Sequence, residues 1–348
     1  MVRAVWELTW RCNLRCTHCL VEAGPARDDE LSTEEAFQLV DQLAELGTQA
    51  VTLTGGEPLF RKDWDPIAQR IVDRGMALML SCNGHLLRPA TVQRLQQLDC
   101  KRVILSLDGL RATHDAIRRF PETRAARSSW EEVTGAIHRL KQTDIAVEVI
   151  TAVRAGNLDE LPQLHEAVKA LGIDIWSVQL AHPTGRFSGH THDMVDRARM
   201  PELAEFLARA SRDPVLAPMV HPSIGWLSKE EPLLRSSARG PTTRVWRGSG
   251  CGKRVVAIEP NGGVKGCPNQ VGDPFIVGNI RTEALVDIWN DRTRWHWLPP
   301  NLPEPSGACA DCVLAPVCGG GCPCVAVATT GRVFDNPWCV RAIRRAQA

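Results

Sequence analysis

The stretch Glu7-Leu8-Thr9-Trp10-Arg11-Cys12-Asn13-Leu14-Arg15-Cys16-Thr17-His18-Cys19 decides how this chain is read. It follows an apolar, strand-like segment and packs three cysteines into one tight loop, spaced x3 and x2. Three thiolates so placed can hold three irons of a 4Fe-4S cluster and leave the fourth iron without a protein ligand, unlike a four-cysteine electron-transfer site. Cysteines two residues apart also suit zinc, so the triplet alone leaves the metal open. A second element narrows the choice. Gly55-Gly56-Glu57-Pro58 follows the apolar run Ala50 to Thr54, at the C-terminal end of a second strand, where α/β sheets and barrels bind ligands. Glycines there let the backbone approach a ligand closely.

Together, the cysteine triplet and the Gly-Gly-Glu-Pro strand end resemble the radical S-adenosylmethionine (SAM) family. The resemblance implies that Cys12, Cys16 and Cys19 hold a cluster whose open iron chelates SAM. One electron then splits the sulfonium to methionine and a 5'-deoxyadenosyl radical. It further implies that Gly55, Gly56, Glu57 and Pro58 contact the SAM amino group. Ser106, Asp108 and Arg118, with Asn83 and Gln179 at other strand ends, are implied as the rest of the SAM pocket.

Strand-like segments at Ala4–Trp10, Ala50–Thr54, Ala77–Cys82, Arg102–Leu107, Ala146–Val153 and Ile173–Leu180 alternate with amphipathic helices. Capping boxes Ser32-x2-Glu35 and Ser129-x2-Glu132 open two of those helices. Six strand-helix units in a right-handed series predict a partial (β/α)6 TIM-like barrel over residues 1–213, the radical SAM fold. Prolines break residues 214–250 into a connecting segment with one short helix near Leu227–Arg235.

Residues 251–348 are dominated by cysteine: Cys251-x10-Gly262-x4-Cys267, Cys309-x2-Cys312-x5-Cys318-x3-Cys322, then Cys339. This order is similar to the SPASM extension of peptide-modifying radical SAM enzymes. The resemblance implies a distal auxiliary cluster on Cys309, Cys312, Cys318 and Cys339, and a nearer one on Cys251, Cys267 and Cys322. With SAM and the first cluster, the cofactors are three 4Fe-4S clusters and about twelve irons. Fully ligated relatives carry one more cysteine shortly before the first of the seven, where this chain has Val245 and Trp246. The nearer cluster is therefore expected to keep one open iron. Cys324 can fill that position in principle, but a packed thiol is the favoured reading, as for Cys82 and Cys100. Pro183-Thr-Gly-Arg186 recurs in the family without a role derivable from its residues. His190 and His192 read as solvated loop residues.

A net charge of +1 gives no case for nucleic acid or anionic membrane as a partner, and no run of 18 apolar residues occurs. Thirteen cysteines without a secretory signal point to metal chemistry in the cytoplasm. The function implied by the resemblance is radical modification of a ribosomally made peptide, in the manner of the pyrroloquinoline quinone and mycofactocin maturases. Because the first strand starts almost at Met1, a separate leader-recognition protein is expected, with flavodoxin or ferredoxin as electron donor. Tetrapyrrole side-chain modification is the alternative, and a non-catalytic iron-sulfur or zinc protein the rival class. Anaerobic sulfatase maturation is disfavoured by Pro268, where those enzymes place Asp.

Overall fold

A computed structural model describes residues 2–124, 126–224, 229–234 and 249–347. Its spine is one sheet of ten strands: β1 (Val2–Thr9), β2 (Thr48–Gly55), β3 (Ala77–Cys82), β4 (Arg102–Ser106), β5 (Ala146–Val153), β6 (Ile175–Leu180), β7 (Pro218–Val220), β8 (Val255–Ile258), β9 (Gly263–Lys265) and β10 (Gly278–Asn279). Their order in space is β10-β9-β8-β1-β2-β3-β4-β5-β6-β7. The pairs from β8 through β1 to β7 are parallel, while β8-β9 and β9-β10 are antiparallel. Six strands in series were expected and all six are present.

The alternation along β3 and β4 shows how the sheet is used. Every second residue is buried, and those between, such as Ser81 and Ser106, are half-buried. The buried set meets the helices: Ala36, Leu39, Val40 and Leu43 of helix Thr33–Glu45, and Val133, Ala136, Ile137 and Leu140 of helix Ser129–Leu140. The first helix starts at the predicted capping box, with Glu35 N–H donating to Ser32 Oγ at 3.2 Å and Ser32 N–H to Glu35 Oε2 at 2.8 Å. The second is capped one residue earlier than predicted, by Ser128. Asp115, from outside the helix, accepts from Ser128 Oγ, Ser129 Oγ and Trp130 N–H, so a tertiary carboxylate holds the helix start.

Residues 214–250 are more than a connection. Their β7 extends the sheet beyond β6, paired through Trp176 with Pro218 and Val178 with Val220. Of the short helix expected near Leu227–Arg235, Glu231–Leu234 is helical; Val245 and Trp246 lie outside the described residues. The cysteine-rich half is joined to the barrel at both ends. β8 pairs with β1 along Arg3–Trp6, and helix Val340–Gln347 packs on helix Met200–Ala210 beside β7. An Asn261-Gly262 turn joins β8 to β9, with Gly262 N–H donating to Glu259 O at 3.0 Å and Gly262 at φ +89°.

At the seam a lysine is fully buried. Lys265 Nζ lies 2.8 Å from Glu7 Oε2 of β1 and 2.8 Å from Glu259 Oε1. Burial pushes the Glu7 carboxyl up despite the opposing pull of Lys265. Removing the cation strands the buried Glu7 carboxylate and leaves the half-buried Glu259 without its partner, which costs about 3–5 kcal/mol for a broken buried pair. Lys265→Met is thus expected to lower the urea midpoint markedly, and adding Glu7→Gln to recover part of the loss. Unchanged midpoints would show that the seam does not depend on this cation.

Candidate functional site

The cysteine loop leaves β1 at Thr9 and has little regular structure of its own, so its shape is imposed from outside. Cys12 N–H donates to Gly24 O at 2.8 Å, Arg15 N–H to Arg119 O at 2.9 Å and Thr17 N–H to Ile117 O at 3.0 Å. From the β2 end, Gly56 N–H donates to Thr9 O at 2.7 Å and Glu57 N–H to Arg11 O at 2.8 Å. A Cβ on Gly55 would stand 2.3 Å from Thr9 O, and one on Gly56 2.5 Å from Arg11 O. The glycines were read as making room for a ligand; the close approach they permit here is to the cysteine loop itself.

From β6, Pro183-Thr-Gly-Arg186 supplies the third clamp. Arg186 N–H donates to Cys19 O at 2.9 Å, and its guanidinium donates to Cys16 O at 2.8 Å and Ala23 O at 2.9 Å. Gly185, at φ +55°, passes so close that a Cβ would lie 2.0 Å from Leu20 O. Sequence reasoning left this motif without a role. Beyond its recurrence in the family, its signal is a glycine-arginine pair just past a strand end.

Leu14, Cys16 and Phe120 form a small apolar cluster against which Cys12 and Cys19 pack. Burial pushes the Cys12 thiol up to about 12 and the Cys16 thiol up to about 11. Such thiols ionise only against a strong cationic centre, so the donor set suits a metal cluster better than a free nucleophile. Leu14 N–H and Ala23 N–H already point at Cys12 Sγ and Cys19 Sγ, at 3.5 and 3.3 Å. Asn13 Nδ2 and His18 Nδ1 on the same loop are buried without a partner among the described residues. The residues therefore fit the cluster and SAM that the resemblance implies.

The implied SAM residues divide into two groups. Glu57 is fully buried, its carboxylate accepting Asn83 N–H at 2.8 Å and Leu59 N–H at 3.3 Å. Burial raises its carboxyl to about 7. Asn83 in turn donates to Asn13 Oδ1 at 2.8 Å, tying the end of β3 to the cysteine loop. Asp108 is also fully buried; its carboxylate accepts Ala152 N–H at 2.8 Å and pairs with Arg118 Nε. Burial alone would raise that carboxyl, but Arg118, then His18 and His114, bring it down to about 2. Arg118 is thereby held with Nη1 3.9 Å from Cys16 Sγ and Nη2 3.2 Å from His18 Nε2. Glu57 and Asp108 thus position other groups, whereas Ser106 and Gln179 are half-buried at strand ends.

In the C-terminal half, Cys309, Cys312, Cys318 and Cys339 line one pocket, with Phe334 and Asn336. Four thiols lining one pocket are the donor set of a cubane. Cys251 and Cys267 come together as well, but they bring Cys324 with them: these three sulfurs lie within 4.8 Å of one another. Cys324, favoured above as a packed thiol, stands among the candidate ligands. Cys82 and Cys100 are buried in the barrel core, away from any such group.

Comparison with known proteins agrees with this geometry. Residues 6–168 match the model of the Radical SAM superfamily, and residues 250–313 that of SPASM, an iron-sulfur cluster-binding domain. The chain is 30% identical over 344 residues to an AdoMet-dependent heme synthase of Methanosarcina barkeri, covering 96% of this chain and 95% of the relative. It is 29% identical over 345 residues to the mycofactocin maturase MftC of Mycobacterium ulcerans, covering 95% and 85%. Among solved structures, anSMEcpe with bound AdoMet and a Cp18Cys peptide superposes with a TM-score of 0.73 at 14% identity, over 99% of this chain and 94% of that one. Streptococcus suis SuiB bound to S-adenosylmethionine gives 0.70 at 18% identity, over 96% and 76%. Among the described residues, no helix is long and apolar enough to cross a membrane.

Two outcomes follow from the clamps. Arg186→Ala leaves two loop carbonyls, Cys16 O and Ala23 O, short of a donor, at about 1–3 kcal/mol each where buried. Anaerobically reconstituted variant is expected to lose up to about four irons per chain, with the other clusters intact; full iron loading would show that the clamp is dispensable. Glu57 is raised from 4.5 to about 7 in the fold. Its contribution to stability is then complete below the unfolded value and is lost as pH rises through about 7. The urea midpoint of the Glu57→Gln variant should fall less than that of the parent between pH 5 and 8; parallel curves would exclude Glu57 as the source.

Proposed function

Because the chain belongs to the radical SAM superfamily and carries an iron-sulfur SPASM domain, we propose that it modifies a ribosomally made peptide by hydrogen abstraction. Cys12, Cys16 and Cys19 hold the SAM-cleaving cluster, and two auxiliary clusters sit in residues 251–348. When bound, the first cluster and SAM supply a 5'-deoxyadenosyl radical. The chain's own residues do the positioning: Gly55–Pro58 and Asn83 brace the cysteine loop, Asp108 aims Arg118, and Ser106 and Gln179 would contact SAM. Residues 1–213 form the catalytic barrel, with 214–250 linking it to the cluster domain.

One observation carries the peptide over the tetrapyrrole. At the C-terminal strand ends the half-buried Thr54, Ser81, Asn83, Ser106 and Gln179 are uncharged, and the half-buried charge beside them is Arg154, one residue past β5. Arginines that reach the cysteine loop are already committed: Arg118 to Asp108, Arg154 to Asp193, Arg186 to carbonyls. A substrate rich in carboxylates would call for uncommitted cations there, whereas a peptide backbone is served by neutral hydrogen-bonding groups. The 30% identity to a heme synthase supports tetrapyrrole modification as the second reading. A flexible peptide binds weakly to a bare catalytic domain, so a separate leader-recognition protein would add affinity by tethering. Flavodoxin or ferredoxin would supply the electron. A reducing cytoplasm would keep the cluster cysteines available to iron.

The test incubates the reduced enzyme and SAM with peptides encoded beside its gene, with and without any encoded partner, and with iron-coproporphyrin. Peptide mass change with matching 5'-deoxyadenosine is expected, and the Cys12, Cys16, Cys19→Ala variant should release no 5'-deoxyadenosine. Turnover of the porphyrin with no response to any peptide would overturn this reading in favour of the second.

A further inference from the structure

The seven-cysteine pattern leaves the nearer auxiliary cluster one thiolate short. Three separate elements nevertheless bring four thiols to one buried place. Cys251 precedes β8, Cys267 follows β9, and Cys322 and Cys324 open helix Pro323–Thr330. The sulfurs of Cys251, Cys267 and Cys324 lie within 4.8 Å of one another, and the thiol of Cys324 also contacts that of Cys322. All four residues are less than a tenth exposed.

The surrounding chain is shaped for this convergence. A Cβ on Gly266 would stand 2.8 Å from Gly252 N and 3.0 Å from the Cys251 carbonyl carbon, so only glycine lets these two loops close. Gly252 N–H donates to Gly266 O at 3.2 Å, and Trp297 Nε1–H to Cys251 O at 3.3 Å, fixing the first cysteine against the second. Across from them, Pro323 starts the helix, so Cys322 has extended backbone (φ −92°, ψ 114°) and Cys324 falls in the first turn. Both thiols therefore sit at the helix end whose partial charge favours anions.

We propose that Cys324 is the fourth thiolate of the nearer auxiliary iron-sulfur cluster, with Cys251, Cys267 and Cys322, so that this cluster is closed to substrate and to any other external ligand. The proposal reverses the open iron expected from the sequence and rests on the iron-sulfur reading of the C-terminal half. It does not depend on what the substrate is. A compact set of four thiols would also suit one zinc ion, but Cys251 and Cys267 lie within the 250–313 match to an iron-sulfur cluster-binding domain, which favours iron.

The experiment uses the full chain carrying Cys12, Cys16 and Cys19→Ala, which removes the one cluster with an open iron by design. After anaerobic reconstitution it should hold about eight irons per chain and show two auxiliary signals by paramagnetic resonance when reduced. Addition of ¹³C-labelled potassium cyanide should leave both unchanged, without ¹³C coupling. Adding Cys324→Ala should change one signal only, either exposing it to ¹³C coupling or abolishing it; Cys324→Ser, which keeps an oxygen ligand, should shift its g values. The distal signal reports that each variant is folded. Carbon-13 coupling with Cys324 intact would overturn the proposal without recourse to any Cys324 variant. So would a Cys324→Ala spectrum identical to its parent's, or stoichiometric zinc with a single auxiliary signal. Because no substrate is used, failure of the peptide reading leaves these outcomes unaffected.

Discussion

The rest of this structure depends on the docking of one irregular loop onto the strand ends around it. A segment that must present three thiols in a fixed array, yet forms no helix or strand, has to find partners for its backbone groups elsewhere. Here β1 continues into it, the Gly55-Gly56-Glu57 turn bonds to its carbonyls, residues 117 and 119 accept its N–H groups, and Arg186 closes it from β6. The barrel's curvature is what lets the ends of β2, β4 and β6 reach the same loop. Conversely, a side chain at Gly55, Gly56 or Gly185 would push backbone against backbone, so the docking of the loop itself requires these glycines.

Charge is distributed on the same plan. The thiols of Cys12 and Cys16 are held neutral by burial until a cation is present, and the guanidinium of Arg118 stands beside Cys16 to offset the negative charge that a thiolate cluster brings. That guanidinium is not free to wander, because the fully buried Asp108 anchors it. Glu57, with its carboxyl raised to about 7, adds less negative charge to the loop near neutral pH than an exposed glutamate would. The residues nearest the cluster loop therefore act by position and by fixed charge. This suits hydrogen abstraction, which asks for aligned atoms more than for a tuned acid or base.

Much of this was legible in the residues. All six barrel strands stood out because apolar β-branched runs alternate with capped amphipathic helices, and the Ser32 box fixed one helix start to the residue. The cysteine triplet and the Gly-Gly-Glu-Pro turn identified the catalytic end. What escaped the reading is tertiary. Asp115 holds a helix start from outside the helix, which no local propensity reveals. β7 has only three residues, one of them proline, so its membership of the sheet comes from the neighbouring edge. The function of Arg186 depends on carbonyls about 170 positions away. Cys324 was read as a packed thiol because burial is the ordinary fate of a cysteine, and spacing alone cannot tell a buried thiol from a buried ligand.

The seam between the halves follows from the same economy of contacts. A cluster domain tethered only by a linker would let the auxiliary centres drift relative to the barrel. Instead β8 extends the sheet past β1, and helix Val340–Gln347 returns to helix Met200–Ala210 at the opposite edge, where Arg344 pairs with Glu230 and Glu205. Trp338, next to Cys339, donates its Nε1–H to Val195 O at 2.9 Å, so the last cysteine is itself bonded through its neighbour to the barrel side. With one edge fixed by backbone pairing and the other by a packed helix, the cysteine-rich half is held across the sheet, and the distances between its thiols and the catalytic loop are set by the fold rather than by a flexible hinge. A buried Lys265 between Glu7 and Glu259 is costly to desolvate, but it penalises any sliding of β9 past β1, because the cation would leave one carboxylate before meeting another.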